Sequence, residues 1–361
     1  MSEIKVNSVK GVNASTAAIS IDNSSGTCTA NITNNLTNKN LIINGGMKIS
    51  QRSVSVSVSD TVRGFQTLDR FEYNKHGTIT NVMTMAQSND SPDGFSNSLK
   101  FTTTTADATL TTNQSNYLNT ELEGQDLQQL AYGTSSAKSF TLSFYVKGTI
   151  TGTYVVWFYS IDTGKALTKT YTISSANTWE RKTMTVAGDT ASSIDNNTGS
   201  GLMIRWVLSA GPDYSSGTAS TTWSTNGYTN ANRYVGQTAN VAATTSDNWS
   251  ITGVQLELGS VATDFEHRSV SDELLRCYRY YFGGATTGTA YYGGVYSTGN
   301  SMVKVPLPVV MRTTPTVTNP THGGGGTLNT IYESNHMIHY YITGDTSVYV
   351  PRADVKCDAE L

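Results

Sequence analysis

From Leu41 onward, apolar and polar positions alternate in short runs. Val54, Val56 and Val58 alternate with Ser53, Ser55, Ser57 and Ser59, the period-two pattern of a half-buried strand. Phe71 to Tyr73, Ile79 to Met85 and Ser98 to Thr102 continue in pieces broken by Gly, Asn and Asp. Phe140, Leu142, Phe144 and Val146 alternate up to Gly148, and Leu202, Ile204, Trp206 and Leu208 alternate around Met203, Arg205 and Val207. Tyr154 to Ile161 is apolar on both faces, which predicts a central strand covered on both sides. Asp162-Thr163-Gly164 predicts a hairpin into Leu167 to Ile173. In Trp249 to Leu258 the apolar phase slips at Gly253, as a β-bulge produces. Strands of this length and spacing indicate an all-β sandwich rather than a βαβ fold.

Helix is scarce. Thr120 to Glu123 has the form of a capping box and predicts a short turn through Leu130. Ser271 to Arg276 offers an N-cap, acids in the first turn and Arg276 and Arg279 later, which predicts a helical linker of two or three turns. Beyond it, Tyr278 to Phe282, Tyr291 to Tyr296, Ser301 to Val310, His336 to Ile342 and Val348 to Val350 read as strands of a smaller second β domain. The run Gly323 to Gly326 reads as a flexible loop.

Residues 1–40 differ from the rest. They hold no aromatic residue and cannot bury a core of their own. The alternations Ile4-Lys5-Val6 and Ile19-Ser20-Ile21 suit strand addition to a partner's sheet edge, so Ile4, Val6, Ile19 and Ile21 are the candidate docking residues of an arm. A floppy tail is the plainer alternative.

Composition narrows the function. Charged residues are 14% of the 361-residue chain, against about 25% in an average soluble protein, and Ser, Thr and Asn fill the deficit. A net charge of −3 argues against nucleic-acid binding. No run reaches the length of a membrane span, and no apolar core of a signal peptide is present, which argues against Sec export. Cys28, Cys277 and Cys357 cannot all pair within the chain and read as free thiols of a reducing compartment.

Several strings together resemble a family. Leu41-Ile-Ile-Asn-Gly-Gly-Met-Lys-Ile-Ser-Gln-Arg with Leu68-Asp-Arg-Phe, Ala137-Lys-Ser-Phe-Thr-Leu-Ser-Phe-Tyr-Val-Lys, Asn177-Thr-Trp-Glu and the stretch Val254 to Arg268 resemble a domain of bacteriophage tail-fibre and minor structural proteins. Glu273-Leu-Leu-Arg-Cys-Tyr-Arg-Tyr-Tyr, Met311-Arg-Thr-Thr-Pro-Thr-Val and Asp358-Ala-Glu-Leu resemble the C-terminal part of such proteins. The resemblance covers residues 41–361. It implies a jelly-roll domain like carbohydrate-binding modules over 41–267, a helical linker with an outer β domain over 268–361, and a virion protein, commonly a homotrimer. The expected role is host-surface attachment by a tail fibre or spike assembled in the host cytoplasm, with residues 1–40 docking on other virion proteins. A capsid decoration or head-fibre protein and a capsule-degrading glycoside hydrolase are the alternatives, and a non-enzyme is the expectation.

Sugar binding needs aromatic faces for ring C–H groups and neutral partners for hydroxyls. Tyr214, Trp223, Tyr228 and Tyr234 stand among Asn226, Asn230, Asn232 and Arg233 in a Gly/Ser/Thr-rich segment, and are the candidate glycan-binding residues. Burial of these rings at a sandwich edge or protomer interface is the competing reading. Tyr278, Tyr280, Tyr281, Tyr291, Tyr292 and Tyr296 form a second candidate surface. Glu121 with Glu123, and Asp264 with Glu266, are acid pairs close enough in sequence to be weighed for glycoside hydrolysis, and Glu257 reads as a partly buried, paired acid. His336 and His339, three apart on a strand, face opposite sides and do not suit zinc. Asn89 to Gly94 is oxygen-rich enough to bind Ca²⁺ but lacks the EF-hand spacing, and a turn is the simpler expectation. No cofactor is expected.

Overall fold

The computed structural model describes residues 6–10, 12, 19–21, 24, 28–30, 38–283, 290–292, 294–297, 299–318, 326–344, 349–351 and 355–361. Within the arm, β1 (Ser8–Val9), β2 (Ile19–Ile21) and β3 (Cys28–Ala30) form an antiparallel sheet. Ile19 and Ile21 thus pair with Ala30 and Cys28 of the same arm, not with a partner's edge as the sequence suggested. Val6 is exposed, and Ile4 lies outside the described residues.

The main body is a two-sheet sandwich. In chain order it contains β4 (Ser55–Val58), β5 (Glu72–His76), β6 (Val82–Ser88), β7 (Ser98–Thr105), β8 (Ser115–Glu123), β9 (Phe140–Gly148), β10 (Gly152–Ser160), β11 (Lys165–Ile173), β12 (Glu180–Val186), β13 (Ser200–Ala210), the one-turn helix α1 (Pro212–Ser215) and β14 (Asn248–Leu258). One sheet runs β12-β9-β14-β7-β6-β4, the other β11-β10-β13-β8-β5, and every paired neighbour is antiparallel. The chain changes sheet after each strand except at the β6–β7 and β10–β11 connections. This is the β-sandwich that the alternating runs implied, with the jelly-roll arrangement that the resemblance implied.

Alternation sends one side chain in two between the sheets. Phe144 of β9 meets Trp206 of β13 edge-on at 5.9 Å, Phe101 of β7 meets Tyr73 of β5, and the Trp249 indole N–H donates to the Tyr171 hydroxyl across the gap. β14 slips register between Thr252 and Gln255, with Gly253 at φ +61°, so the sequence located the bulge. The bulge frees the Val254 N–H for the Gly45 carbonyl at 2.9 Å. A Cβ on Gly45 would come within 2.0 Å of the Val254 oxygen, so this approach requires glycine.

Two local expectations change. Thr120 to Glu123 belong to β8, because Thr120 and Glu121 pair with Ile204 and Met203; the 3₁₀ turn starts only at Gly124 and runs to Leu130. The linker helix α2 (Val270–Tyr278) is capped by Ser269 rather than Ser271, with the Ser269 hydroxyl accepting from the Asp272 N–H at 3.1 Å.

Beyond α2 lie β15 (Tyr281–Gly283), β16 (Ala290–Tyr292), β17 (Gly294–Ser297), β18 (Asn300–Pro306), β19 (Thr316–Thr318), β20 (Thr327–Glu333), β21 (Met337–Thr343), β22 (Tyr349–Pro351) and β23 (Lys356–Asp358). They pair as β15-β23-β19, β16-β22 and β17-β18-β21-β20. A second core gathers Phe282, Val303, Val305, Met311, Ile338, Ile342 and Val355. Cys277 and Cys357 are free and buried; the side chain of Cys28 and residues Gly323 to Gly325 lie outside the described residues.

The two cores are joined by a polar junction. The Arg70 guanidinium, 2% exposed, pairs with Glu360, donates to the Glu121 carbonyl and lies 3.5 Å over the Tyr280 ring. Arg279 makes a two-pronged pair with the buried Glu123, both contacts at 2.7 Å. Arg312 holds the Ala359 and Glu360 carbonyls, and Arg52 reaches Asp358 and Glu360. Asn44, at φ +60°, is joined to α2 through its N–H and Glu273.

Candidate functional site

The outer face of the five-stranded sheet carries the chemistry. The pairing register aligns Trp157, Arg205, Asn119 and Glu72 in one row across β10, β13, β8 and β5, and Tyr159, Met203 and Glu121 in the next. Residues 211–240 fold over part of this face. They are pinned to β11 by the reciprocal Ala166–Ser224 bonds at 2.9 and 3.2 Å and by Thr168 N–H to the Ser220 carbonyl at 2.8 Å. Gly227 presses so close that a Cβ would lie 2.2 Å from the Ala166 oxygen, and its carbonyl accepts from the Trp157 indole at 3.1 Å. This cover explains the two-sided apolar pattern of β10: one face meets the sandwich core, the other the 211–240 segment.

The four candidate aromatics separate. Tyr234 is fully buried and Tyr214 nearly so, both packed with Val155, Trp157 and Val207, so neither offers a ring face to a ligand. Of the four candidate glycan-binding residues, Tyr214 and Tyr234 thus follow the competing reading, burial, because the apolar outer face of β10 draws these two rings inward. Trp223 is half-buried at the sandwich edge, its ring edge-on to Tyr132 and Phe140. Tyr228 is exposed. Its ring lies 4.7 Å from Tyr159 at 26° and 6.2 Å from Trp157, with the Arg233 guanidinium 4.6 Å from its centroid.

Beneath the cover, Arg205 donates to the Tyr234 hydroxyl and to Asn119 Oδ1, and lies 3.7 Å over the Tyr117 ring. Asn119 in turn donates to Glu72 at 2.7 Å. Burial raises the Glu72 pKa, only partly offset by the Asn119 bond, and the nearby Glu121 adds to the rise. Sequence reasoning missed Tyr159, Arg205 and Glu72 as part of this surface. The available signal was Tyr154 to Ile161 itself, since a strand apolar on both faces needs a cover, and 211–240 is the aromatic-rich loop nearby.

His76 stacks on Tyr214 at 4.6 Å, and its Nε2 lies 3.2 Å from the Tyr234 hydroxyl. Burial, then Arg205, Arg233 and Lys75, lower its pKa to about 3. The folded state therefore keeps the ring neutral while the unfolded chain protonates near pH 6.5. Stability from this group is present above pH 6.5 and is lost as pH falls toward 3. Asp69 has the opposite sign: burial raises it to about 6, so its contribution is present below the unfolded value of 3.8 and is lost as pH rises through 6. His76→Gln removes only the first effect. Unfolding midpoints at pH 7 and pH 5 should show the variant gaining about 1–2 kcal/mol on the parent at the lower pH. Equal pH dependence in both proteins would refute this account of His76.

The other sequence candidates are engaged elsewhere. Glu123 pairs with Arg279, while Glu266 pairs with Arg268 and accepts the Asn38 and Asn40 N–H groups. Glu257 accepts from Thr263 and Gln255. Asp264 is exposed, and its carbonyl accepts from Lys39. In the Asn89–Gly94 loop, Asp90 is taken by Lys147 and the Trp179 indole. His339 sits on β21, opposite Lys304 and Tyr332, and His336 precedes the strand. Tyr280 and Tyr281 are buried, Tyr278 is half-buried beside Phe282, and the side chains of Tyr291, Tyr292 and Tyr296 lie outside the described residues. A 640 Å³ cavity at the junction is lined by Arg268, Arg276 and Arg279, each already bonded to Glu266, Asn38 or Glu123. No group of three or more metal-binding side chains occurs among the described residues, and no described helix is long and apolar enough to cross a membrane.

No family model matches the chain, and no similar curated protein was found. Among solved structures, the enzymatically active domain of tailspike protein 4 from bacteriophage CBA120 is 14% identical with a TM-score of 0.32. The match covers 61% of this chain and 21% of that domain's chain. A CBM4 module is 11% identical over 60% of this chain and 97% of its own, at a TM-score of 0.29. The family 11 carbohydrate-binding module of Clostridium thermocellum, solved with a mixed-linked β-1,3-1,4 tetrasaccharide, is 12% identical over 59% and 98%, also at 0.29. The jelly-roll architecture itself is read from the strand pairing.

Proposed function

We propose that this chain is a non-enzymatic bacteriophage virion protein, a homotrimeric tail fibre or spike, whose sandwich holds a glycan of the host surface. The observation that carries the binding reading is the Tyr228 surface: an exposed ring stacked on Tyr159 and backed by the buried Trp157. An exposed ring held this way loses little rotamer freedom on binding. Arg233, Met203 and Glu121, all half-buried, supply polar and apolar neighbours. The virion reading rests on the strings in residues 41–361, and the weakly charged surface suits attachment at high salt, where ionic contacts are screened.

On a host-glycan array, the full chain should bind and Tyr228→Ala should weaken that binding at least tenfold, about 1.4 kcal/mol, with the unfolding midpoint unchanged. Undiminished binding by Tyr228→Ala would remove this surface from the assignment. Light scattering on the full chain should give the mass of a trimer.

One observation favours a second reading. Glu72, its pKa raised, and Glu121 lie on adjacent strands of this same face, as an acid and a carboxylate of a glycoside hydrolase would. New reducing ends from host polysaccharide would establish that reading.

A further inference from the structure

Five residues before Tyr228, the same segment closes a separate cavity. Its volume is 170 Å³, below the roughly 300–1,000 Å³ of sites for drug-sized ligands. A cavity of this size suits a single six-membered ring rather than a longer chain. Trp223 and Leu167 supply its apolar surface, and Thr190, Thr221, Thr222 and Asp189 its polar one.

Three features suit it to an uncharged, hydroxyl-bearing ring. Trp223 is fixed in advance: its indole N–H donates to the Ala187 carbonyl at 2.9 Å, and its ring packs edge-on to Tyr132 at 5.9 Å and Phe140 at 6.5 Å. What it can offer a ligand is its π face, which favours ring C–H groups. The hydroxyls of Thr190, Thr221 and Thr222 are exposed and make no hydrogen bond among the described residues, so they are available to ligand hydroxyls. Asp189 is buried, and its charge is balanced by Lys165 at 2.7 Å; its second oxygen accepts from Ala191 N–H. The described lining contains no lysine, arginine or histidine to recruit an anionic sugar.

We infer that the Trp223 cavity is a one-ring subsite for the uncharged terminal hexopyranose of a glycan, distinct from the Tyr228 surface. The inference rests on the glycan-binding reading above and specifies its ligand. Saturation-transfer NMR on the full chain with methyl glucoside, galactoside, mannoside and N-acetylglucosaminide, and methyl glucuronide as the charged comparator, tests it. At least one neutral glycoside should bind. The Thr221→Val/Thr222→Val double variant, which keeps side-chain shape, should weaken that binding tenfold or more, as should Trp223→Ala if it folds. The dependence on Thr221 and Thr222 should persist in a Tyr228→Ala background. Preference for the glucuronide, or indifference to the threonine pair in either background, would overturn the subsite. Tyr228-dependent binding of longer glycans without binding of any single ring would overturn the subsite alone. No glycan binding of any length would overturn the parent reading as well.

Discussion

Glu360→Ala should destabilise the protein by about 3–5 kcal/mol, the typical cost of removing one partner of a buried ion pair. The reason lies in Arg70. Its guanidinium is nearly inaccessible, and without Glu360 it keeps, among the described residues, the Glu121 carbonyl and the Tyr280 ring as partners. Arg52, which also approaches Glu360 at 3.4 Å, loses part of its neutralisation too. The fall in unfolding midpoint should be on the order of 10 °C, followed by intrinsic fluorescence. Replacing both members, as in Arg70→Met with Glu360→Leu, should recover much of the loss, because the unpaired buried charge is then gone. A Glu360→Ala midpoint within 1–2 °C of the parent would show that solvent reaches Arg70 in solution.

Asn44→Ala should yield little folded protein. One side chain closes four bonds in a buried site: its Nδ2 donates to the Ile49 and Asp69 carbonyls at 2.8 and 3.0 Å, and its Oδ1 accepts from Lys48 and Ile49 N–H at 3.0 and 2.9 Å. Truncation takes the partner from the Asp69 carbonyl and from the Lys48 and Ile49 N–H groups, at roughly 1–3 kcal/mol each, while the Ile49 carbonyl keeps the Asp69 N–H. Alanine also lacks the local bonding that favours asparagine in the left-handed region occupied here. The sum rivals the ~5–15 kcal/mol that stabilises a whole domain. Asn44→Asp keeps the two accepting contacts and should fold with reduced stability, so soluble yield and unfolding midpoint of the two variants form a graded test. Parental stability in Asn44→Ala would mean that ordered water replaces the side chain.

These two residues explain why some strings in the sequence were recognisable. Asn44 and Gly45 stand in the first, Asp69 and Arg70 in the next, and Glu273, Arg279, Tyr280, Arg312 and Glu360 in the last three. All meet at the junction between the cores or at the β14 bulge. Their side chains have fixed partners there, so the strings report architecture. The glycan candidates stand outside them.

The sequence alone determined the strands of the sandwich other than β8 and β12, the hairpin at Gly164 and the bulge at Gly253, because period-two alternation and glycine placement act over a few neighbouring residues. It also located the linker helix, with an error of two residues at the cap. It did not resolve Thr316–Thr318 or Lys356–Asp358, since strands of three residues are too short to show a period. Nor could it separate Tyr214 and Tyr234 from Tyr228. All three are tyrosines in one polar loop, and their exposure depends on which of them the loop lays over Trp157 and Arg205. Only tertiary packing decided that two rings cover the outer face of β10, one remains open, and Trp223 closes a cavity at the sandwich edge, because burial depends on contacts between residues distant along the chain.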